Sequence, residues 1–151
     1  LWFFNSGPLA GASQPHRHFQ LLRRDPSELS CPREKWILDF DNVNYKNQRF
    51  CKNIILKKFS KTLNKENIHE IYKDLAYKLG LGKPGIDKKP RYPYNLIFTN
   101  QWILLIKRKT DNLYGISVNA LGFAGYILVT EKSDKKYLKK FGPEKLLENF
   151  L

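Results

Sequence analysis

Two of the three histidines in this 151-residue chain sit two apart, in His16-Arg17-His18-Phe19-Gln20. A neutral imidazole is a competent nucleophile toward phosphorus near pH 7, because its pKa lies close to that pH. It works best when its second ring nitrogen is held by an acceptor, which leaves the free lone pair facing the reacting atom. In an extended strand, residues i, i+2 and i+4 share a face. His16, His18 and Gln20 are then expected to point together, with Arg17, Phe19 and Leu21 turned the other way. The same histidine pair also suits a metal site or two ordinary half-buried rings. The segment before them favours the phosphorus chemistry. Asn5-Ser6-Gly7-Pro8-Leu9-Ala10-Gly11-Ala12-Ser13-Gln14 is a loop of mostly small residues. Gly7, Gly11 and the small Ala10, Ala12 and Ser13 let backbone N–H groups approach phosphate oxygens. An imidazole nucleophile, a second imidazole and an amide beside an anion cradle suit phosphoryl or nucleotidyl transfer, which rests mainly on positioning and charge stabilisation.

Residues 1–5 read as a short apolar strand, 6–15 as loop and 16–23 as a second strand. Residues 25–33 form a connector, 36–40 are short and apolar, and 41–47 are turn-like. Within 49–59, Ile54-Ile55-Leu56 suits a buried strand. Residues 65–79 carry Ile68, Ile71, Tyr72, Leu75, Ala76 and Leu79 on one helical face, with Asn64 as N-cap and Gly80 as terminator. Residues 80–93 are a basic Gly/Pro loop. Residues 94–99 and 102–107 read as a hairpin around Asn100-Gln101. Residues 115–121 read as a strand, 122–125 as flexible and 126–129 as strand or helix. Residues 134–141 and 143–150 read as helices, the second with Pro143 in its first turn. The sum is an α+β fold with a mainly antiparallel sheet and flanking helices.

The composition, 42% hydrophobic and 14% aromatic, supports a real core and excludes a disordered chain. The net charge is +13, and residues 46–91 hold 13 Lys/Arg against 4 Asp/Glu. That excess is either a solvated face or a surface for an anionic partner, nucleic acid or polyphosphate. Cys31 and Cys51 form no CxxC pair, which argues against a four-ligand zinc site and fits reduced thiols in a cytoplasmic protein. No apolar run approaches the ~20 residues of a membrane helix, and no signal peptide is visible. The chain lacks Met and opens on Leu1-Trp2-Phe3-Phe4, so it is expected to be the C-terminal part of a longer protein. Gly80-Leu81-Gly82-Lys83-Pro84-Gly85 fails as a Walker loop, because Pro84 stands where Ser or Thr belongs. His69 falls off the apolar helix face and is expected at the surface. Residues 88–94, basic and aromatic, read as a solvated loop or as a base-stacking platform.

The segment Asn5–Gln20, with its small-residue loop leading into His-x-His-x-Gln, resembles the active-site segment of the ATP adenylyltransferases. These are the diadenosine tetraphosphate phosphorylases, a branch of the histidine-triad and galactose-1-phosphate uridylyltransferase superfamily. The second half resembles the family's C-terminal region in order and spacing. Its carriers are Tyr94-Asn95-Leu96-Ile97-Phe98-Thr99, Trp102-Ile103-Leu104-Leu105, Ser117-Val118-Asn119-Ala120-Leu121-Gly122-Phe123-Ala124-Gly125 and Gly142-Pro143. The resemblance implies one histidine-triad-like domain over residues 1–151, lacking its N-terminal part. Residues 1–30 would be its catalytic segment, 31–90 a basic connecting region and 91–151 the C-terminal region.

The resemblance also implies roles. His18 matches the nucleophile that becomes adenylylated, His16 supports it, and Gln20 contacts phosphate in place of the third His of the hydrolases. Asn5, Gly11, Ala12, Ser13 and Gln14 match a loop that contacts phosphate and ribose. Asn119, Ala120 and Leu121 match a second substrate-contacting stretch. The family's lysine nine residues beyond Leu121 is Thr130 here, with Lys132 near by. The implied reaction is phosphorolysis of diadenosine tetraphosphate to ADP and ATP through an adenylyl-histidine. The implied partners are a dinucleoside polyphosphate, ATP, ADP, inorganic phosphate and the missing N-terminal part, which would hold the purine pocket. Mg²⁺ is expected on the substrate phosphates, with no metal bound by the protein itself. The alternatives are a dinucleoside polyphosphate hydrolase, another nucleotidyl transferase, or a basic RNA-binding module over residues 46–94. The resemblance favours the nucleotide over nucleic acid.

Overall fold

The two most apolar runs of the chain form the centre of a five-stranded sheet. In the computed structural model, which describes residues 1–25, 27–43, 47–59 and 65–151, Tyr94–Phe98 is β4 and Trp102–Lys107 is β5. They pair antiparallel as the expected hairpin, closed by Thr99 N–H donating to the Trp102 carbonyl at 2.9 Å. Both are buried almost without interruption, because helices cover both faces of the sheet. β1 (Trp2–Asn5) adds to β4, β2 (Gln20–Leu21) flanks β1, and β3 (Ile54–Lys58) flanks β5. The order is β2-β1-β4-β5-β3, with every neighbour antiparallel. The expected α+β architecture is the one observed.

Alternation along the strands sends side chains into two cores. Phe3, Ile97, Trp102, Leu104 and Ile106 face one of them. There they meet α1 (Glu34–Leu38), α3 (Gln48–Asn53), α5 (Ala120–Ala124) and α6 (Lys135–Asn149). Phe4, Leu96, Ile103 and Leu105 face the other, covered by Leu75, Ala76 and Leu79 of α4 (Lys65–Lys78). Gly80 ends α4 with φ 75°, and Leu81 N–H donates back to the Ala76 carbonyl at 2.9 Å. The expected N-cap, Asn64, lies outside the described residues. A short α2 (Phe40–Val43) follows α1, so the apolar stretch 36–40 is helical. A small hairpin pairs β6 (Asn112–Leu113) with β7 (Ile116–Ser117).

Four expectations change. Strand structure within 115–121 is confined to Ile116–Ser117, because Asn119 starts a helix. Its Oδ1 accepts from Leu121 N–H at 2.9 Å and Gly122 N–H at 3.3 Å. Residues 122–124, expected to be flexible, are therefore buried in α5, and residues 126–129 are neither strand nor helix. The strand expected over 16–23 shrinks to Gln20–Leu21. Pro15 has no N–H to give a ladder, and residues 16–19 leave the sheet. The two helices expected at the end are seen, broken at Gly142 (φ 77°, ψ 170°) and capped by Asp134 accepting from Tyr137 N–H. Among the described residues no helix is long and apolar enough to cross a membrane.

Glu34 anchors the first core. Its carboxylate accepts from Ser30 N–H (2.9 Å), Ser30 Oγ (2.5 Å) and Trp102 Nε1 (3.2 Å). Burial pushes the carboxyl pKa up, but these bonds together outweigh it and hold it below the usual glutamate range. A pKa lowered by folding contributes stability above the unfolded value of about 4.3, and loses it as pH falls through the folded value. Glu34→Gln is expected to flatten the acid limb of stability below about pH 4.3. Urea midpoints measured from pH 3 to 7 check this, and an unchanged acid limb overturns it.

Candidate active site

β1 ends in Asn5, whose side chain turns into the first core. Its Oδ1 accepts from Ala120 N–H at 2.9 Å and from Asn95 Nδ2 at 2.7 Å. Asn95, fully buried in β4, donates the same Nδ2 to the Ala10 carbonyl at 2.8 Å. Its Oδ1 accepts from Nη1 of Arg108. Arg108 follows β5 directly and is only 2% exposed. Its Nη2 donates to the carbonyls of Thr110 (2.7 Å) and Val118 (2.8 Å). The guanidinium lies 5.0 Å from the Phe123 ring centre and 5.2 Å from that of Phe150. Among the described residues it forms no carboxylate ion pair. Burial pushes its pKa down to about 10, against the smaller opposing pull of Asp111.

This buried polar line runs Arg108–Asn95–Asn5–Ala120. It ties the end of β5, the centre of the sheet, the small-residue loop and the start of α5 into one unit. Sequence reasoning missed Asn95 and Arg108 as members. The available signal was an amide inside an apolar strand and an arginine directly after another, since buried polar groups need partners.

Besides the Asn5–Ala120 bond, the loop meets the second motif at Gly11. Gly11 has φ 79°, and a Cβ there would lie 2.7 Å from Asn119 Cβ and 2.9 Å from the Val118 carbonyl oxygen. The loop is held by Gly11 N–H to the Pro8 carbonyl (2.7 Å) and Ala12 N–H to the Gly7 carbonyl (3.1 Å). Gly11→Ala combines a left-handed backbone with a clash and is expected to cost about 1–3 kcal/mol. A urea midpoint equal to that of the wild type overturns the prediction. Ala12 is half-buried, and Ser13 and Gln14 are exposed. The N–H groups of Ala120 and Leu121 are taken by Asn5 and Asn119, so those two donors already serve the fold.

The two motif imidazoles come together, with ring centres 5.0 Å apart. His18 Nδ1 lies 3.2 Å from the His16 carbonyl oxygen. A carbonyl can only accept, so in the neutral ring this contact puts the proton on Nδ1 and the lone pair on Nε2. His18 is half-buried and borders a cavity of about 560 Å³. Phe4, Leu96, Phe98 and Ile103 of the sheet form its floor, and Tyr72 and Ile68 of α4 its far wall. The Tyr72 and Tyr94 hydroxyls meet at 2.8 Å in that wall, and burial pushes the Tyr94 phenol up.

The alternation expected for residues 16–21 does not hold. Arg17 and Phe19 border the same cavity as His18, and the Phe19 ring sits 5.2 Å from Phe4. Phe19 stays 54% exposed, and its ring contacts with Phe4 and, edge-on, with Phe98 hold it on this face once the segment has left the ladder. Gln20 pairs with Phe3, whose side chain belongs to the opposite core. His69 is exposed as expected, yet its ring borders this cavity too. Among the described residues no three His, Cys, Asp or Glu side chains cluster as a metal site.

Comparison with known proteins adds two family matches and a structural likeness. The model of the ATP adenylyltransferase C-terminal domain matches residues 31–150, and that of the Ap4A phosphorylase N-terminal domain matches residues 1–37. No curated protein matches. The crystal structure of yeast Ap4A phosphorylase Apa2 is similar with a TM-score of 0.60 at 18% identity, over 99% of this chain and 53% of that one. The chain thus spans about half the length of that structure, and the likeness is one of fold.

Proposed function

Because this chain belongs to the ATP adenylyltransferase family, whose C-terminal domain model covers residues 31–150, we propose that it serves adenylyl transfer from diadenosine tetraphosphate to inorganic phosphate. The observation that carries the reading is the His18 Nδ1 contact with the His16 carbonyl at 3.2 Å. In the neutral ring it leaves the lone pair on Nε2, at the edge of a cavity that Arg17 also borders. In the first step Nε2 attacks the α-phosphorus. A P–N bond forms, the P–O bond to the rest of the chain breaks, and ATP leaves with that electron pair. The ring becomes an imidazolium, and its Nδ1–H keeps donating to the His16 carbonyl. In the second step an oxygen of inorganic phosphate attacks the same phosphorus. The P–N bond breaks, ADP forms, and Nε2 recovers its lone pair.

The other residues act on position and charge. Asn5 spends its Oδ1 on the fold, which leaves its Nδ2 to donate to a ligand. Gly11, Ala12, Ser13 and Gln14 present the loop to the phosphates, and Asn119, Ala120 and Leu121 form the wall behind it. The family resemblance gives Gln20 the role of donating its amide to a phosphoryl oxygen, although its pairing with Phe3 sets it on the sheet face opposite the His18 cavity. An amide is neither an acid nor an effective base toward water, so the adenylyl group waits for phosphate. Mg²⁺ enters on the substrate phosphates.

The test is to incubate the protein with diadenosine tetraphosphate, with and without millimolar phosphate, and to identify the products. The expected result is ADP plus ATP when phosphate is present. AMP plus ATP under the same conditions overturns the reading in favour of a hydrolase. Gln20→His is expected to raise the AMP share. Loss of the amide donor is expected to slow the ADP-forming reaction by on the order of 10²–10³. An unchanged AMP share removes Gln20 from the role.

A further inference from the structure

Beside the His18 cavity lies a smaller one of about 240 Å³. The two share the wall made by Phe4, Arg17, Tyr72 and Tyr94. Arg17, Lys83, Lys88 and Lys89 border the smaller cavity, with Ser6 at its edge. None of these four cations is in an ion pair among the described residues. Among the described residues, the one carboxylate bordering the cavity, Asp87, is committed to the loop. Its Oδ2 accepts from Lys83 N–H at 2.7 Å and packs on Gly82. The loop is shaped in advance. Ile86 and Asp87 N–H groups both donate to the Lys83 carbonyl, at 3.0 and 2.9 Å, and Arg91 N–H donates to the Leu81 carbonyl at 3.0 Å.

Four cations without carboxylate partners around one preformed concavity make a site for a multiply charged anion. Its volume falls below the roughly 300 Å³ at which sites for drug-sized ligands begin, which suits phosphoryl groups better than a nucleoside. Arg17 connects it to the nucleophile, because that side chain follows the motif's first histidine and borders both cavities. We propose that this pocket takes the phosphates of the substrate's polyphosphate chain that lie beyond the one attacked by His18. The proposal rests on the adenylyl-transfer reading for the identity of the chain. The anion chemistry stands on the pocket alone.

Two anion sources are separable, the polyphosphate chain and the inorganic phosphate acceptor. Inorganic tripolyphosphate and orthophosphate are titrated by calorimetry into the wild type and into a Lys88→Gln/Lys89→Gln double variant. Both changes are at exposed positions, so the fold is expected to persist. The expected result is a loss of about tenfold in tripolyphosphate affinity, with orthophosphate binding unchanged. KM for diadenosine tetraphosphate is expected to rise by a similar factor, with KM for phosphate unchanged.

Equal tripolyphosphate affinity in the two proteins overturns the proposal. So does a rise in KM for phosphate alone, which assigns the pocket to the acceptor. An RNA oligonucleotide that displaces tripolyphosphate at lower concentration than tripolyphosphate itself also overturns it, in favour of a nucleic-acid surface. If tripolyphosphate binding falls tenfold in the variant but the wild type turns over no dinucleotide, the oligophosphate pocket stands and the adenylyl-transfer reading fails.

Discussion

A His18→Ala protein is expected to lose turnover of diadenosine tetraphosphate by on the order of 10⁴-fold or more while keeping its fold. Among the described residues bordering the cavity, no other side chain combines an imidazole nitrogen with a hydrogen bond that orients it. His18 is half-buried at the cavity rim, so its removal takes little from either core. The covalent intermediate gives a second measurement. A phosphoramidate on histidine survives alkali and hydrolyses in acid, so radiolabelled adenylate is expected to stay with the wild type after an alkaline quench and to be absent from the variant. His16→Ala is expected to be slower but active, because the contact to His18 comes from the His16 main chain and survives truncation of its side chain. Appreciable turnover by a folded His18→Ala protein removes the assignment. A dead His16→Ala beside an active His18→Ala reverses the two roles.

The second large effect is on stability. Arg108→Met keeps most of the side-chain volume but strands three acceptors, Asn95 Oδ1 and the carbonyls of Thr110 and Val118. Each buried acceptor left without a donor costs about 1–3 kcal/mol, and removing a buried unpaired charge offsets part of the total. The expected net loss is about 3 kcal/mol, seen as a lower urea midpoint at constant slope. Asn95→Leu attacks the same line from its other side. The double variant is therefore expected to lose at least about 1 kcal/mol less than the sum of the singles. Strict additivity would show that the two residues act independently.

The central hairpin and α4 were legible because their signals are local. Unbroken apolar runs and a 3.6-residue period need no partner to be read. The His motif and the small-residue loop were legible as chemistry for the same reason, since all their members lie within residues 5–20. What escaped were features set by groups distant in sequence. Residues 16–19 read as strand by alternation, but Pro15 cannot enter a ladder and Phe19 packs on Phe4 instead. Asn119 read as part of a strand because its capping role depends on the turn that follows it. Arg108 looked like one more basic residue in a chain of net charge +13. Only the placement of Asn95 and of the Val118 carbonyl around it sets it apart.

The contact of Asn5 with Asn95 spans 90 residues, and that with Ala120 spans 115. β1 lies between β2 and β4, so its pairing on one side waits for residues 94–98 to be made. At translation rates of about 5–20 residues per second, that wait is roughly 5–20 s. For that time Trp2, Phe3 and Phe4 lack the central strand β4, and α5 and α6 of the first covering layer are made later still. Non-local pairing of this kind is intrinsically slow and leaves apolar strand exposed. On the ribosome, the segment that carries the chemistry is thus made before β4 and completed only after it, which leaves its apolar strand exposed to a chaperone in the interval.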